Sequence, residues 1–473
     1  MITIDSTVGK NEYDIHSLTK AFYPEEEVRI RELNNGTAAL KDPVETGSAE
    51  LVFHMETGDI INLQVPYNNR DELKRRIYHA LSARTGKTLP WGALTGIRPV
   101  KMVRERLEGG MDDMEALQDM KERYLISDEK GRLALDIAKR ETELIRPLSY
   151  ADHYSIYIDV PFCPTRCLYC SFTSNAVGED RSRVLAYLEA LKKEMEASAG
   201  ILAGRRIDTI YIGGGTPTAL LPDELRYLLG MVADAFDTDG IAEYTVEAGR
   251  PDSITREKLK VLAGSGVDRI SVNPQTMNQK TLDIIGRRHT VEQVEEAFLL
   301  ARDEGFSNIN MDMILGLPGE KNEDVQKTVD MICSLGPDSL TIHSLAVKRA
   351  SALRDYLEER GYGELSDTEE MMDIAIKGAV KMGMHPYYLY RQKNMSGNLE
   401  NTGYALDGRY GLYNILINEE IQDILALGSG AISKRVDKDG NTIRSANFKE
   451  VHDYIGNIDE LIKRKNKLFT LAL

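Results

Sequence analysis

From Tyr154 onward the chain alternates six times between a short β-rich run and a stretch of helical periodicity. The strand candidates are Tyr154–Val160, Asp208–Gly213, Glu243–Ala248, Asp268–Asn273, Asn308–Leu315 and Asp338–His343. Helices are expected near 181–199, 222–236, 255–264, 278–285, 291–304 and 321–335. Strands that alternate with helices form a parallel sheet with the helices packed outside it. Right-handed crossovers can wrap such a sheet. Six units fall short of the eight that close a barrel, so a partial, laterally open barrel is expected. Local signals agree with this layout. Thr290-Val291-Glu292-Gln293 is a capping box, and Pro222 before Asp223 and Glu224 suits a first helical turn. Val184, Leu185, Leu188, Leu191 and Met195 form one apolar stripe.

The flanks read differently. In residues 1–148, Leu51–Met55 and Ile60–Val65 read as strands joined by a turn at Thr57-Gly58-Asp59, with a helix over about 71–84. Further helices are expected near 111–123 and 133–145. Pro90–Pro99, a turn-rich stretch with the single tryptophan, Trp91, reads as a structural loop. Arg146-Pro147 marks a boundary. Another capping box, Ser366-Asp367-Thr368-Glu369, opens a helix over about 367–382. The expected class is α/β. An N-terminal α+β domain (1–148) precedes the partial barrel (149–382), and a C-terminal α/β extension (383–473) packs near the barrel mouth.

The 473 residues carry 59 Lys+Arg against 75 Asp+Glu, a formal charge of −16. That argues against a protein that coats nucleic acid or binds membranes electrostatically. No run of about 18 apolar residues is present. The first twenty residues carry Asp5, Glu12 and Asp14 and no apolar signal segment. A cytoplasmic location is expected.

Three of the four cysteines, Cys163, Cys167 and Cys170, stand in a C-x3-C-x2-C arrangement just after the first barrel strand. Reduced thiolates at this spacing can converge on one soft metal centre. Three of them hold three corners of a [4Fe–4S] cube and leave one iron open. A structural zinc would want a fourth Cys or His. His153 lies at the far end of the strand, and Cys333 reads as a small apolar residue of its helix. Other polar groups fall at strand ends, the active face of a barrel. Gly213-Gly214-Gly215-Thr216-Pro217 lets a ligand approach the backbone and offers N–H groups. Glu247, Gln275, Arg287 and Asp312 follow along the same rim.

These elements resemble the radical S-adenosylmethionine (SAM) superfamily. The Tyr157–Cys170 motif, the triple glycine with Thr216-Pro217-Thr218, and Asp312–Gly319 are similar to the oxygen-independent coproporphyrinogen III oxidase (coproporphyrinogen dehydrogenase) family. Leu94–Pro99 and Tyr387–Asn394 point to its HemZ-type branch. The resemblance implies a 5′-deoxyadenosyl radical, generated from SAM by the cluster, that drives oxidative decarboxylation of two propionates of coproporphyrinogen III to give protoporphyrinogen IX. It implies that Cys163, Cys167 and Cys170 hold the cluster. Tyr157, Gly214, Glu247 and Ile432 match positions at the cluster-bound SAM. Tyr169, Gly215, Thr216, Gln275, Arg287 and Asp312 match a second SAM site, with Ser344 as a looser match. Leu427–Ser433 resembles a glycine segment that closes over the site, or reads simply as a turn. Arg166, Arg391, Lys393 and Lys348 are candidates for the substrate carboxylates, and His343 ends the sixth strand. A flavodoxin- or ferredoxin-type electron donor is implied.

Two positions depart from the family pattern. Asp159 stands where the oxidases carry a His, and Phe172 where they carry a fourth cysteine. A haem-binding chaperone with the same fold stays open, as does an enzyme that opens or methylates haem. The chaperones carry a His-Asn pair where this chain has Tyr413-Asn414.

Overall fold

The computed structural model describes residues 1–9, 11–33, 48–66, 68–95, 98–148, 152–172, 174–348, 351–361, 368–392, 398–437 and 439–470. The first four strands, β1 (Ile2–Ser6), β2 (Val28–Glu32), β3 (Ser48–His54) and β4 (Ile60–Pro66), form one sheet in the order β2-β1-β3-β4. The hairpin expected between the two apolar runs is β3–β4. Its turn closes with the Met55 N–H donating to the Asp59 carbonyl at 2.9 Å, and Gly58 supplies the positive φ of 85°. The helix Arg70–Thr85 starts where the Asn69 side chain accepts the Glu72 N–H at 3.0 Å.

The turn-rich loop that follows is a structural junction. Trp91 is fully buried and donates Nε1–H to Glu400 Oε2 at 2.7 Å. Lys130 meets the other oxygen of that carboxylate at 2.8 Å. Gly92 has φ 53°, and a Cβ there would sit 2.1 Å from the Tyr124 carbonyl oxygen. Three helices, Pro99–Glu108, Asp113–Tyr124 and Asp128–Ile145, then share a core that includes Leu389.

The remaining strands are β5 (His153–Val160), β6 (Phe162–Cys163), β7 (Asn175–Ala176), β8 (Arg206–Gly214), β9 (Glu243–Glu247), β10 (Arg269–Ser271), β11 (Ile309–Leu315), β12 (Ser339–Ser344), β13 (His385–Tyr390), β14 (Asn401–Ala405), β15 (Asp423–Leu427), β16 (Ile432–Val436) and β17 (Thr442–Ala446). All but β6 and β7, which pair with each other, form one open sheet in the order β13-β14-β12-β11-β10-β9-β8-β5-β15-β16-β17. The six expected strands are β5, β8, β9, β10, β11 and β12, each parallel to its neighbour. A seventh parallel strand was not expected: β15 runs beside β5, with Asp423 opposite Tyr154 and Leu427 opposite Ile158. The C-terminal strands therefore extend both edges of the sheet rather than only covering its mouth. β14 and β13 add antiparallel strands beyond β12, and β16 and β17 do so beyond β15.

Helices Ser182–Ala199, Pro222–Ala235, Arg256–Gly264, Gln279–Ile284, Val291–Asp303 and Asn322–Leu335 match the expected positions. The Thr290 capping box forms both bonds, at 2.9 and 3.3 Å. One side of the expected stripe is corrected. Val184, Leu188, Leu191 and Met195 are buried, but Leu185 is 53% exposed and Tyr187 takes the buried face instead. Steps of three and four residues keep 184, 187, 188, 191 and 195 on one face and turn 185 away. The helix Glu369–Lys381 is present, while Ser366 and Asp367 of its proposed capping box lie outside the described residues. Among the described residues no helix is long and apolar enough to cross a membrane.

Removing Lys130 leaves the Glu400 carboxylate buried with only the indole as partner. Lys130→Met is expected to cost about 3–5 kcal/mol, read as a lower midpoint of chemical denaturation. Adding Glu400→Gln recovers part of that loss, because a neutral amide still accepts from Trp91.

Candidate functional site

The site is built by the pleat of the parallel strands. Glu243, Thr245 and Glu247 alternate with Tyr244 and Val246 along β9. Ser271 follows Ile270 on β10, Asn310 and Asp312 alternate with Met311 on β11, and Thr341 and His343 alternate with Ile342 on β12. Successive side chains of a strand point to opposite faces. The apolar set joins the main core with the helices, so the polar set faces inward. It borders a cavity of about 570 Å³, within the usual range for a small-molecule site. The helix Leu412–Glu419 plugs the floor. Its first N–H groups, of Leu412 and Tyr413, donate to Glu243 Oε2, and the Tyr413 ring stacks on Tyr211 at 4.6 Å.

Cys163, Cys167 and Cys170 all border this cavity. The loop that carries them is pinned from two sides, since the Leu168 N–H donates to the Ile285 carbonyl and the Leu353 N–H to the Leu168 carbonyl, each at 2.9 Å. Thr216 Oγ1 donates to Cys163 Sγ at 3.5 Å, and Arg250 Nη1 lies 4.0 Å from Cys167 Sγ. Burial pushes the Cys163 thiol up to about 11, and the neighbouring Cys170 and Cys167 push the same way. Among the described residues no trio of His, Cys, Asp or Glu is already arranged to hold a metal ion. The donor chemistry nevertheless fits an iron–sulfur group, with three soft, partly buried thiols on one loop beside an arginine. Their mutual repulsion is what a bound cationic iron centre offsets. Cys333 is elsewhere, its Sγ 3.7 Å from the Gly378 carbonyl. His153 pairs with Asp208 at 2.7 Å, at the opposite end of β5.

The glycine loop lies against two carboxyls. Gly214 has φ 98°, and a Cβ there would fall 2.0 Å from Asp159 Oδ1; one on Gly215 would fall 2.6 Å from the Phe162 carbonyl oxygen. Any side chain would close this cradle. The expectation that the loop offers its N–H groups is corrected at two positions. Gly215 N–H donates to Val160 O at 2.9 Å and Thr216 N–H to Phe162 O at 2.7 Å. The Glu247 carboxyl is pushed up to about 7, mainly by burial, although the Tyr211 hydroxyl donates to it at 2.5 Å. Burial likewise pushes Asp159 up to about 8, against a bond from the Tyr157 hydroxyl at 3.2 Å.

Opposite the cysteines, Gln275 is held in left-handed backbone with φ 65°. Its N–H donates to the Asp312 carbonyl at 3.0 Å, and its carbonyl accepts from the Ile314 N–H at 2.9 Å. Gln275 Oε1, Asn273 Oδ1, Ser271 Oγ and Arg287 Nε are all buried without a partner. Such groups carry a desolvation penalty unless a ligand or water meets them. Arg287 is held by backbone carbonyls of Asn273 at 2.6 Å and Gly249 at 3.3 Å, not by a carboxylate. Burial alone would raise the Asp312 carboxyl, but bonds from His343, Asn310 and Thr341 leave it below its usual range.

The structure thus brings Tyr169, Gly214, Gly215, Thr216, Glu247, Gln275, Arg287, Asp312 and Arg391 to one cavity with the three cysteines, together with His343, Ser344 and Lys348. It does not bring three others there, and a fourth is not described. Tyr157 stands one ring behind the wall, stacked 6.2 Å from Tyr211. Ile432 is 44% exposed at the head of β16. Arg166 borders a separate, more open depression with Gly286, Arg287 and Arg288. Lys393 lies outside the described residues. Arg98, Arg250, Arg269, Tyr388 and Tyr390 also border the cavity; none was named as a site residue, although Arg98, Tyr388 and Tyr390 lie in the Leu94–Pro99 and Tyr387–Asn394 stretches. Arg250 follows β9 directly and Tyr388 and Tyr390 alternate along β13, so strand ends and period two would have found them. Arg98 has no comparable local signal.

A parallel, laterally open barrel with a three-cysteine loop at its mouth defines a radical SAM protein, and the model of the radical SAM superfamily matches residues 157–332. The oxygen-independent coproporphyrinogen-III oxidase-like protein HemZ of Bacillus subtilis (strain 168) is 43% identical over 398 residues, 82% of this chain and 79% of that protein. The heme chaperone HemW of the same organism is 34% identical over 237 residues, 49% of this chain and 62% of that protein. The solved structure of coproporphyrinogen III oxidase (HemN) from Escherichia coli, a radical SAM enzyme, superposes with a TM-score of 0.53 at 22% identity, over 67% of this chain and 72% of that one. That last likeness is one of fold. The chain belongs to the radical SAM superfamily, in the family of the HemZ coproporphyrinogen-III oxidase-like proteins. Membership implies a [4Fe–4S] cluster and SAM.

Cys167→Ala is expected to strip iron and the brown chromophore from anaerobically reconstituted protein, while Cys333→Ala keeps both. Iron per chain and the visible spectrum check this.

Proposed function

We propose that the protein catalyses oxygen-independent oxidative decarboxylation of coproporphyrinogen III to protoporphyrinogen IX in the cytoplasm, fed by a flavodoxin- or ferredoxin-type donor. The observation that carries this reading is one cavity bordered by the three cysteines, a cluster of unpartnered buried polar groups, and the cations Arg98, Arg250, Arg269, Arg287, Arg391 and Lys348. A tetracarboxylate needs such a wall of cations.

In this reading Cys163, Cys167 and Cys170 hold the cluster. Gly214 and Glu247 would meet the SAM bound at it, while Tyr157 backs the wall behind Tyr211 and Ile432 stands outside the cavity. Tyr169, Gly215, Thr216, Gln275, Arg287 and Asp312 line the second SAM site. When bound, the cluster and SAM supply one-electron chemistry and a hydrogen-abstracting radical. The protein's task is then placement. Each reacting propionate loses one hydrogen atom, one electron and CO₂ to leave a vinyl group, which asks for no acid–base side chain. Tyr388 and Tyr390, whose rings stack 6.2 Å apart, give a flat wall for a macrocycle. The Glu247 carboxyl, raised to about 7 by burial, would be drawn toward its ionised form by a cationic group placed beside it.

A haem-handling reading draws on the similarity to HemW. Against it, Tyr413, where those relatives carry a histidine, is buried in the tyrosine stack below the cavity.

The deciding experiment is anaerobic incubation of reconstituted protein with SAM, a reductant and coproporphyrinogen III. Protoporphyrin is expected after oxidation, with 5′-deoxyadenosine formed alongside. Formation of 5′-deoxyadenosine only with haem, or stable haem binding with no SAM turnover, overturns the reading.

Glu247 gives a second prediction. Its folded pKa is raised to about 7, so it is mostly protonated at pH 6.5, and a bound ammonium group lowers that pKa again. SAM binding at pH 6.5 should therefore release protons, seen by calorimetry in buffers of different ionisation heat. In Glu247→Gln the release should shrink and affinity fall roughly ten- to a hundredfold.

A further inference from the structure

Arg98 comes from residues 1–148, a region without a chemical motif, yet it borders the cavity. Its Nη1 donates to Glu420 Oε2 at 2.8 Å. Among the described residues this is the only hydrogen bond of its fork, so Nε and Nη2 keep their donors unengaged. The other cavity arginines are committed. Arg250 grips Asp252 with two bonds at 2.7 and 3.0 Å. Arg287 is held by backbone carbonyls, and Arg391 by the Leu94 carbonyl at 2.7 Å and Asn398 Oδ1 at 2.6 Å. Arg269 is buried at the floor against Asn308 and Ser339.

Glu420 gathers several cations around Arg98. Glu420 also receives Lys434 Nζ at 2.9 Å and Arg444 Nη2 at 2.6 Å. Three cations thus share one carboxylate. The adjacent Glu419 is paired with Arg104 at 2.6 Å, which Glu141 and Glu108 also face, so Arg98 keeps Glu420 as its own hydrogen-bonded partner. Glu420 follows the helix Leu412–Glu419, whose Ile417 and Asn418 line the cavity beside Arg98. The Arg98 side chain is 23% exposed and that of Glu420 8%, so this charge is only weakly screened. Three cations fix the Glu420 carboxylate far below the usual range, so it stays ionised and holds Arg98 in place.

We propose that Arg98 binds a carboxylate of the substrate, with Glu420 as its positioning residue, and that residues 1–148 thereby complete the substrate site. This rests on the tetracarboxylate porphyrinogen reading above and assigns one of its recognition residues. An arginine fork meets a carboxylate with two parallel bonds, which a lysine cannot reproduce.

The test uses reconstituted full-length protein and two readouts: anaerobic binding of coproporphyrin III, the stable oxidised macrocycle, and turnover of coproporphyrinogen III. Arg98→Met is expected to weaken coproporphyrin III binding and raise KM about ten- to a hundredfold, with kcat, iron content and SAM affinity close to wild type. Arg98→Lys should recover part of the binding, and Glu420→Gln should give an intermediate loss. Binding and KM unchanged in Arg98→Met overturn the proposal. So does a loss of iron or SAM affinity in step with porphyrin binding in both Arg98→Met and Arg98→Lys, which marks a structural role. Wild-type protein that binds coproporphyrin III but turns over no coproporphyrinogen overturns the decarboxylase reading and leaves the Arg98 assignment to the binding result. Wild-type protein that does not bind the porphyrin overturns both.

Discussion

A polar strand face turned into a barrel has to be answered by partners, and the way this is done divides the interior into two halves. At the floor every charge is met. Glu243 takes the N–H groups that open the helix Leu412–Glu419, and Arg269 is held by Asn308 and Ser339. At the mouth, Ser271, Asn273, Gln275 and Arg287 keep buried atoms without partners. An unmet buried group costs about 1–3 kcal/mol, so four in one wall are tolerable only where a ligand or ordered water supplies the missing bonds. Arg269 and Ser271 share β10, and the loop beyond that strand carries Asn273 and Gln275 to the mouth. The satisfied half keeps the sheet in register, and the unsatisfied half is the binding surface.

The plug helix is held from several directions, and this explains how residues 1–148 reach the site. Arg104 grips Glu419 and Arg98 grips Glu420 from the N-terminal side, while Lys434 and Arg444 reach Glu420 from β16 and β17. Trp91 and Lys130 close on Glu400 just before β14. Arg140 donates to the Pro386 carbonyl on β13 at 2.6 Å. These are mostly buried, charge-assisted contacts, so shifting the N-terminal region would strand charges in a dry interface. The region is thereby tied to the same elements that line the cavity.

Periodicity and local chemistry made the core legible. The six parallel strands, the Thr290 box, the β3–β4 hairpin and the cysteine loop depend on residues close in sequence, and each was found where it was expected. What escaped notice depends on distant partners. β15 lies more than 250 residues from β5, its parallel neighbour, and no local pattern distinguishes a strand that adds to an edge from one in an extension. The glycine loop looked like a source of open N–H groups, because the carbonyls that take two of them, Val160 at the end of β5 and Phe162 just beyond it, are distant from the loop in sequence. Arg98 was legible only as part of the Leu94–Pro99 stretch. Its role is set by Glu420, 322 residues away.

The formal charge of −16 does not conflict with the tetra-anionic substrate proposed above, because range decides the matter. At physiological salt, charges farther apart than about 8 Å are largely screened. A ligand in the cavity therefore responds to its walls. Six cations border that space against the carboxyls of Glu247 and Asp312, and burial keeps Glu247 largely neutral up to about pH 7. The local balance is positive inside an acidic protein. Exposed acids, including those in surface pairs such as Arg226 with Asp223 and Arg464 with Glu460, are muted by solvent. Net charge and site charge are set by different residues, and recognition of a polycarboxylate depends on the second.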